Sequence, residues 1–146
     1  FKSQGVVIGE AHLTGKIDRI AVAGGEMIVC DFKTGKAIQS WTPSDPYEKI
    51  KAWKYRAQLV FYKLLIENSR DFGGKYLVNK GIIEFVEPHY EQIIDLPAEI
   101  EKKEVERMKD LINVVYKKII SLDFPDISKY SKDINGIIAF EEDLLK

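Results

Sequence analysis

Two adjacent glycines, Gly24-Gly25, set between an alternating and a mainly apolar stretch, constrain this chain more than any other feature. Glycine takes the positive φ of a two-residue hairpin turn at least cost, so the flanking runs are predicted to fold back on each other. His12 to Val22 and Met27 to Phe32 then read as paired strands, with opposed residues numbered to a total of 49. Val22 faces Met27, Ile20 faces Val29, and Asp18 faces Asp31. Side chains alternate along a strand, so Lys33 shares the face of Asp31 and lies opposite Lys16.

Opposed Cβ atoms in such a ladder are roughly 4.5–5.5 Å apart, close enough for two carboxylates to repel. Three outcomes relieve the repulsion. Both groups are solvated on an open face, with Lys33 pairing one of them; or one takes up a proton; or a divalent cation bridges them. Two carboxylates, a carbonyl oxygen and waters form the hard-oxygen shell that Mg²⁺ or Mn²⁺ prefers. A lysine beside such a shell orients a water and offsets charge developing at phosphorus.

Further along, Pro43 to Pro46 form a loop, and helical periodicity runs from about Glu48 to Asn68. Lys75 to Asn79, Ile82 to Val86 and Tyr90 to Leu96 read as three short strands, with turns at Lys80-Gly81 and Pro88-His89. Pro97 is expected to open a second helix reaching Ser121, with Met108, Leu111, Ile112, Val115, Ile119 and Leu122 as its apolar seam. A short terminal helix is expected over Ile137 to Leu145. With 146 residues and no internal repeat or long linker, residues 1–146 are expected to form one α+β domain.

Composition narrows the function classes. Net charge is −1, so contact with an anionic polymer must come from a local patch. Tyr47 to Lys63 offers one: Lys49, Lys51, Lys54, Arg56 and Lys63 stand against Glu48 alone, with Trp41, Tyr47, Trp53 and Tyr55 interleaved or adjacent. Cations on phosphates and rings on bases suit a single strand; the same pattern also fits a solvated helix face with Trp53 in the core. The single cysteine, Cys30, excludes an internal disulfide and a cysteine-held cluster, and suits a reducing, cytoplasmic setting. No apolar run is long enough to span a membrane.

Three segments together resemble the RecB branch of the PD-(D/E)xK nuclease superfamily. They are Gly15-Lys16-Ile17-Asp18-Arg19-Ile20, then Ile28-Val29-Cys30-Asp31-Phe32-Lys33-Thr34-Gly35, then Gln58-Leu59-Val60-Phe61-Tyr62. The resemblance implies a restriction-endonuclease-like core, a mixed central sheet with flanking helices. It implies a metal-dependent deoxyribonuclease in which Asp18, Asp31 and the Phe32 backbone carbonyl hold Mg²⁺ or Mn²⁺ and Lys33 positions or activates the attacking water. Gln58 and Tyr62 would lie beside the site, and with Arg19 and Lys54 contact the DNA, single-stranded or at strand ends.

It also implies the C-terminal part of a UvrD/RecB-type superfamily 1 helicase acting in DNA repair, with helicase domains upstream in the same polypeptide. The family completes its metal site with a glutamate or histidine from an upstream helix. No such helix precedes the first strand here, so this element is expected to be missing; Glu10 is the conceivable substitute. Two rival readings stand beside the first. One is a nuclease-like module that no longer cleaves and serves as a DNA-binding or docking platform. The other is a restriction-type subunit acting without a helicase.

Overall fold

The chain runs through β1 (Val6–Ile8), β2 (Ala11–Leu13), β3 (Arg19–Ala23), β4 (Glu26–Lys33), α1 (Pro46–Glu67), β5 (Leu77–His89), β6 (Gln92–Glu99), α2 (Lys102–Ile120) and α3 (Ile134–Leu144) in a computed structural model that describes residues 1–89 and 91–146. Gly24 and Gly25 take φ of 60° and 86° and close the β3–β4 hairpin. Its register is the expected one as far as it runs: Val22 opposes Met27, Ile20 opposes Val29, and the ladder ends at Arg19 opposite Cys30, so the expected Asp18–Asp31 and Lys16–Lys33 pairs are not part of it. The alternating stretch before the hairpin is not one strand, however. Ala11–Leu13 pairs with Val6–Ile8 in a separate two-stranded sheet, and the chain leaves regular pairing until Arg19. Gly15 sits in that gap, where a Cβ would lie 2.5 Å from a Leu65 methyl of α1.

The main sheet has the order β3-β4-β5-β6, with β4 and β5 parallel and the other pairs antiparallel. Parallel neighbours need a crossover, and α1 supplies it. Asp45 caps this helix by accepting the Glu48 amide at 2.9 Å, and Pro46 fits the first helical position, where its missing N–H costs nothing. Leu59, Leu64, Leu65 and Ile66 of α1 are fully buried, together with Val29 of β4 and Val78, Ile83 and Phe85 of β5. Each such side chain contributes about 1.5–3 kcal/mol through burial. Lys63 is buried as well. Its ammonium donates to Glu67 Oε1 at 2.6 Å and to the Val78 carbonyl, tying the end of α1 to the start of β5.

Several expected boundaries move, each for a physical reason. Lys80-Gly81 is no turn: β5 runs through it, and a bulge at Asn79 absorbs the irregularity. Gly81 is there because Leu59 packs on it, with its methyls 2.9 Å from where a Cβ would stand. Pro88 and His89 also continue β5, and the left-handed residue that follows is Glu91. Tyr90, expected to open the last strand, lies outside the described residues. Pro97 belongs to β6, an edge strand where a missing N–H is tolerated. The helix it was expected to open begins at Lys102, behind a capping box of Glu101 and Glu104. α3 starts three residues earlier than expected, because Asp133 caps it at the Gly136 amide. The α2 seam is closed only in part: Met108 and Ile112 pack on the core, whereas Val115, Ile119 and Leu122 are exposed.

Candidate active site

β4 places Met27, Val29, Asp31 and Lys33 on the face that α1 covers, and Asp31 is only 2% exposed. A buried carboxylate needs partners. Gln58 and Tyr62 supply them, four residues apart and hence on one side of α1. The Tyr62 hydroxyl donates to Asp31 Oδ1 at 2.6 Å, and Gln58 Nε2 donates to the same oxygen at 2.6 Å and to the Tyr62 oxygen at 2.8 Å. Lys33 Nζ donates to Gln58 Oε1 at 2.7 Å. Burial, reinforced by the hydrogen bond to Asp31, pushes the Tyr62 phenol well above its ordinary pKa, so it remains a donor at neutral pH.

The second Asp31 oxygen is treated differently. Lys33 Nζ stands 2.5 Å from Oδ2 as an ion pair, yet Oδ2 receives no aligned hydrogen bond, alone among buried side-chain polar atoms of the described residues. The Lys33 ammonium is therefore the ionic partner that offsets the charge on this buried oxygen, while the hydrogen bonds of the cluster gather on Oδ1.

Asp18 lies just outside β3 and is exposed. Its Oδ2 accepts the Phe32 amide at 3.1 Å, in place of a ladder bond, and its charge is close enough to act on the Tyr62 phenol. Lys54 is exposed one turn ahead of Gln58, so it extends the same side of α1 outward. Arg19 does not join these residues. It projects from the opposite face of the sheet, where it pairs with Glu84, contacts Cys30 Sγ at 3.4 Å and lies over the Phe32 ring. Phe32 follows it there, 42% exposed. Glu10 stays in the β1–β2 connection, beside Asn113, Tyr116 and Lys117 of α2.

The basic and aromatic stretch divides between two sides of α1. Arg56 is held by both oxygens of Glu104, at 2.6 and 2.7 Å, and by the Glu99 carbonyl, with Trp41 stacked against it. Together with the buried Lys63 pair, this removes two cations from any ligand-facing patch. Trp41 and Trp53 line a cavity of about 960 Å³ among α1, α2 and α3, away from Asp31. Tyr47, Lys51 and Lys54 remain on the side that leads to Gln58, and Lys51 lies 5.1 Å from the Tyr47 ring. Tyr55 belongs to neither group as expected: it is buried, with its ring 4.9 Å from Lys33 Nζ. Its spacing of three from Gln58 and seven from Tyr62 was the signal that put it on the same side.

Two carboxylates, Asp18 and Asp31, are donors of the kind a hard divalent cation takes, and the second has an oxygen held by charge alone, without an aligned hydrogen bond. Among the described residues no three His, Cys, Asp or Glu side chains converge as a ready-made cage. Ions of the Mg²⁺ type complete such partial sets with waters and substrate phosphate.

Set against known proteins, the chain matches the family model described as the PD-(D/E)XK nuclease superfamily over residues 1–131. No curated protein matches it. The match spans the hairpin, α1, the remaining sheet strands and α2, which includes every residue of the Asp31 cluster. A mixed four-stranded sheet with helices packed on it is the restriction-endonuclease-like architecture, and this chain belongs to the PD-(D/E)XK nuclease superfamily.

Proposed function

We propose that this chain is a RecB-like, metal-dependent deoxyribonuclease domain, one folded unit over residues 1–146. The observation that carries the reading is the convergence of Asp31, Lys33, Gln58 and Tyr62 on a carboxylate whose second oxygen accepts no hydrogen bond. Members of the superfamily generally use divalent metal ions. Asp18, Asp31 and the Phe32 carbonyl would hold Mg²⁺ or Mn²⁺, which when bound activates water and offsets charge on the phosphate. Lys33 supplies N–H donors where negative charge develops during in-line attack, and Gln58 accepts one hydrogen bond from its ammonium. Tyr62 holds Asp31 Oδ1 so that the other oxygen stays turned to the site. No covalent intermediate is required, since water is the nucleophile.

DNA would approach along Tyr47, Lys51 and Lys54, which extend about 16 Å along α1 from Gln58 at 1.5 Å per residue. Cations flanking an exposed ring suit a single strand or a frayed end. The ordered trio of segments supports placement behind the helicase domains of a UvrD/RecB-type repair enzyme, and the lone buried thiol supports a cytoplasmic setting. No helix among the described residues is long and apolar enough to cross a membrane.

Two observations favour a second reading, a docking platform that binds DNA without cleaving it. Lys33 already neutralises Asp31, and no third acidic or histidine ligand converges among the described residues. Cleavage of single- and double-stranded oligonucleotides with Mg²⁺ or Mn²⁺, run beside Mn²⁺ titration, separates the two. The nuclease reading expects metal-dependent cleavage, and metal binding that weakens in both Asp18→Asn and Asp31→Asn. Oligonucleotide binding with neither cleavage nor Mn²⁺ uptake would establish the platform instead.

A further inference from the structure

Lys33 is the most mobile type of side chain in the cluster, with four rotatable bonds to an ammonium that must stand within tenths of an ångström of one place. Its two polar partners do not by themselves fix it. Gln58 accepts one hydrogen bond at 2.7 Å, and Asp31 Oδ2 attracts the charge without an aligned bond. A third partner is Tyr55, one turn before Gln58 on α1. Its ring lies 4.9 Å from Lys33 Nζ and is 9% exposed.

The ring itself is anchored. It packs edge-on against Phe85 of β5, with centroids 6.1 Å apart, and Phe85 is fully buried beside Lys33 in the parallel ladder. We propose that Tyr55 is a positioning residue, whose aromatic face fixes the Lys33 ammonium between Asp31 and Gln58. The inference rests on the nuclease reading for its consequence in turnover, but not for the contact.

A ring attracts a cation through its quadrupole, and the attraction grows where water is displaced. It pulls along the ring normal, a direction neither Gln58 nor Asp31 controls, and so removes the remaining freedom of the lysine stem. Among the described residues the Tyr55 hydroxyl donates and accepts no hydrogen bond, so the effect is assigned to the ring. Phenylalanine should therefore replace Tyr55, whereas leucine and methionine, of similar bulk but without a π face, should not.

The test uses Tyr55→Phe, Tyr55→Leu and Tyr55→Met in the full chain, with two readouts. The first is the NMR shift of the Lys33 ε-methylene protons, moved upfield by a ring above them. It should persist in the phenylalanine variant and vanish in the other two. The second is cleavage at a temperature where circular dichroism shows each variant folded. kcat should fall about 10–100-fold in the leucine and methionine variants with KM unchanged, and should stay within about twofold in Tyr55→Phe.

A merely structural role would track folded fraction and not ring chemistry. Leucine or methionine variants that are folded and turn over at the wild-type kcat would overturn the proposal, as would a Lys33 shift indifferent to residue 55. Absence of cleavage by the wild-type protein would sink the nuclease reading, while the shift would still decide whether Tyr55 holds Lys33.

Discussion

Helix α1 carries two polar clusters on opposite sides, and they are finished differently. Arg56 and Gln58 are two residues apart, so their side chains leave the helix about 160° from each other. On the Arg56 side every strong acceptor is used: Glu104 Oε1 takes Arg56 Nε, Oε2 takes Arg56 Nη2 and the Glu101 amide, and the arginine also reaches the Glu99 carbonyl. On the Gln58 side Asp31 Oδ1 takes two aligned donors and Oδ2 takes none. A closed cluster fastens α1 to α2. The Asp31 cluster balances its second oxygen by the Lys33 charge alone, without an aligned donor, which leaves it less completely bonded than the clasp.

The largest effect expected from this contrast is in turnover. Asp31→Asn and Lys33→Met should each lower cleavage at least about 100-fold while leaving the circular dichroism spectrum unchanged. Arg56→Met should do the reverse, keeping kcat within about twofold below its melting temperature while lowering that temperature by several degrees. Parallel kinetic and melting measurements on the three variants check the assignment. If Arg56→Met were as inactive as Asp31→Asn, the division of α1 into a fastening side and a reacting side would be wrong.

The two sides were not equally legible in the sequence. The hairpin register was open to inspection because a two-residue glycine turn leaves one way to align its strands, and alternation along β4 put Asp31 and Lys33 on a common face. Helical spacing likewise put Gln58 and Tyr62 together. That α1 folds back over that face of β4, bringing Tyr62 to Asp31, came only from family resemblance; nothing local encodes a contact across 31 positions. The Arg56 clasp was misread as part of a basic patch for the same reason: Glu104 lies 48 positions away. Gly81 and Pro97 show a further limit. Each is a common mark of a break, yet Gly81 makes room for Leu59 inside β5 and Pro97 sits in an edge strand whose partner does not need its N–H.

Leu59 leaves α1 between the two clusters, and its seat on Gly81 is the anchor they share. Gly81→Ala sharpens the comparison, since a methyl there meets a Leu59 side chain with no exposure and no room to turn. We expect a loss of about 1–3 kcal/mol in chemical denaturation. Turnover should fall more than melting temperature suggests, because a fastening contact tolerates a shift of tenths of an ångström and a reacting one does not. Recovery of both by the compensating pair Gly81→Ala/Leu59→Val would show that the displaced helix is the cause. A stable, fully active Gly81→Ala would mean that the clusters are set independently of this contact.

The smallest effect concerns acid. Burial raises the Glu104 carboxyl, but the Arg56 guanidinium and the Glu101 amide outweigh it and hold its pKa below the ordinary value of 4.5. A carboxyl with a depressed folded pKa binds its proton more tightly in the unfolded chain. Its contribution is therefore present in full above about pH 4.5 and drains away as pH falls through the lower folded value. For a pair with side chains about a quarter exposed, the contribution is about 1 kcal/mol, or roughly 3–5 °C in melting temperature. Glu104→Gln should melt below wild type by that margin at pH 7, and the gap should close as pH falls below about 4.5. A gap of constant size down to pH 3 would mean that Glu104 acts through shape and not charge. The clasp would then owe its completeness to packing, and the count of satisfied acceptors would no longer separate it from the Asp31 cluster.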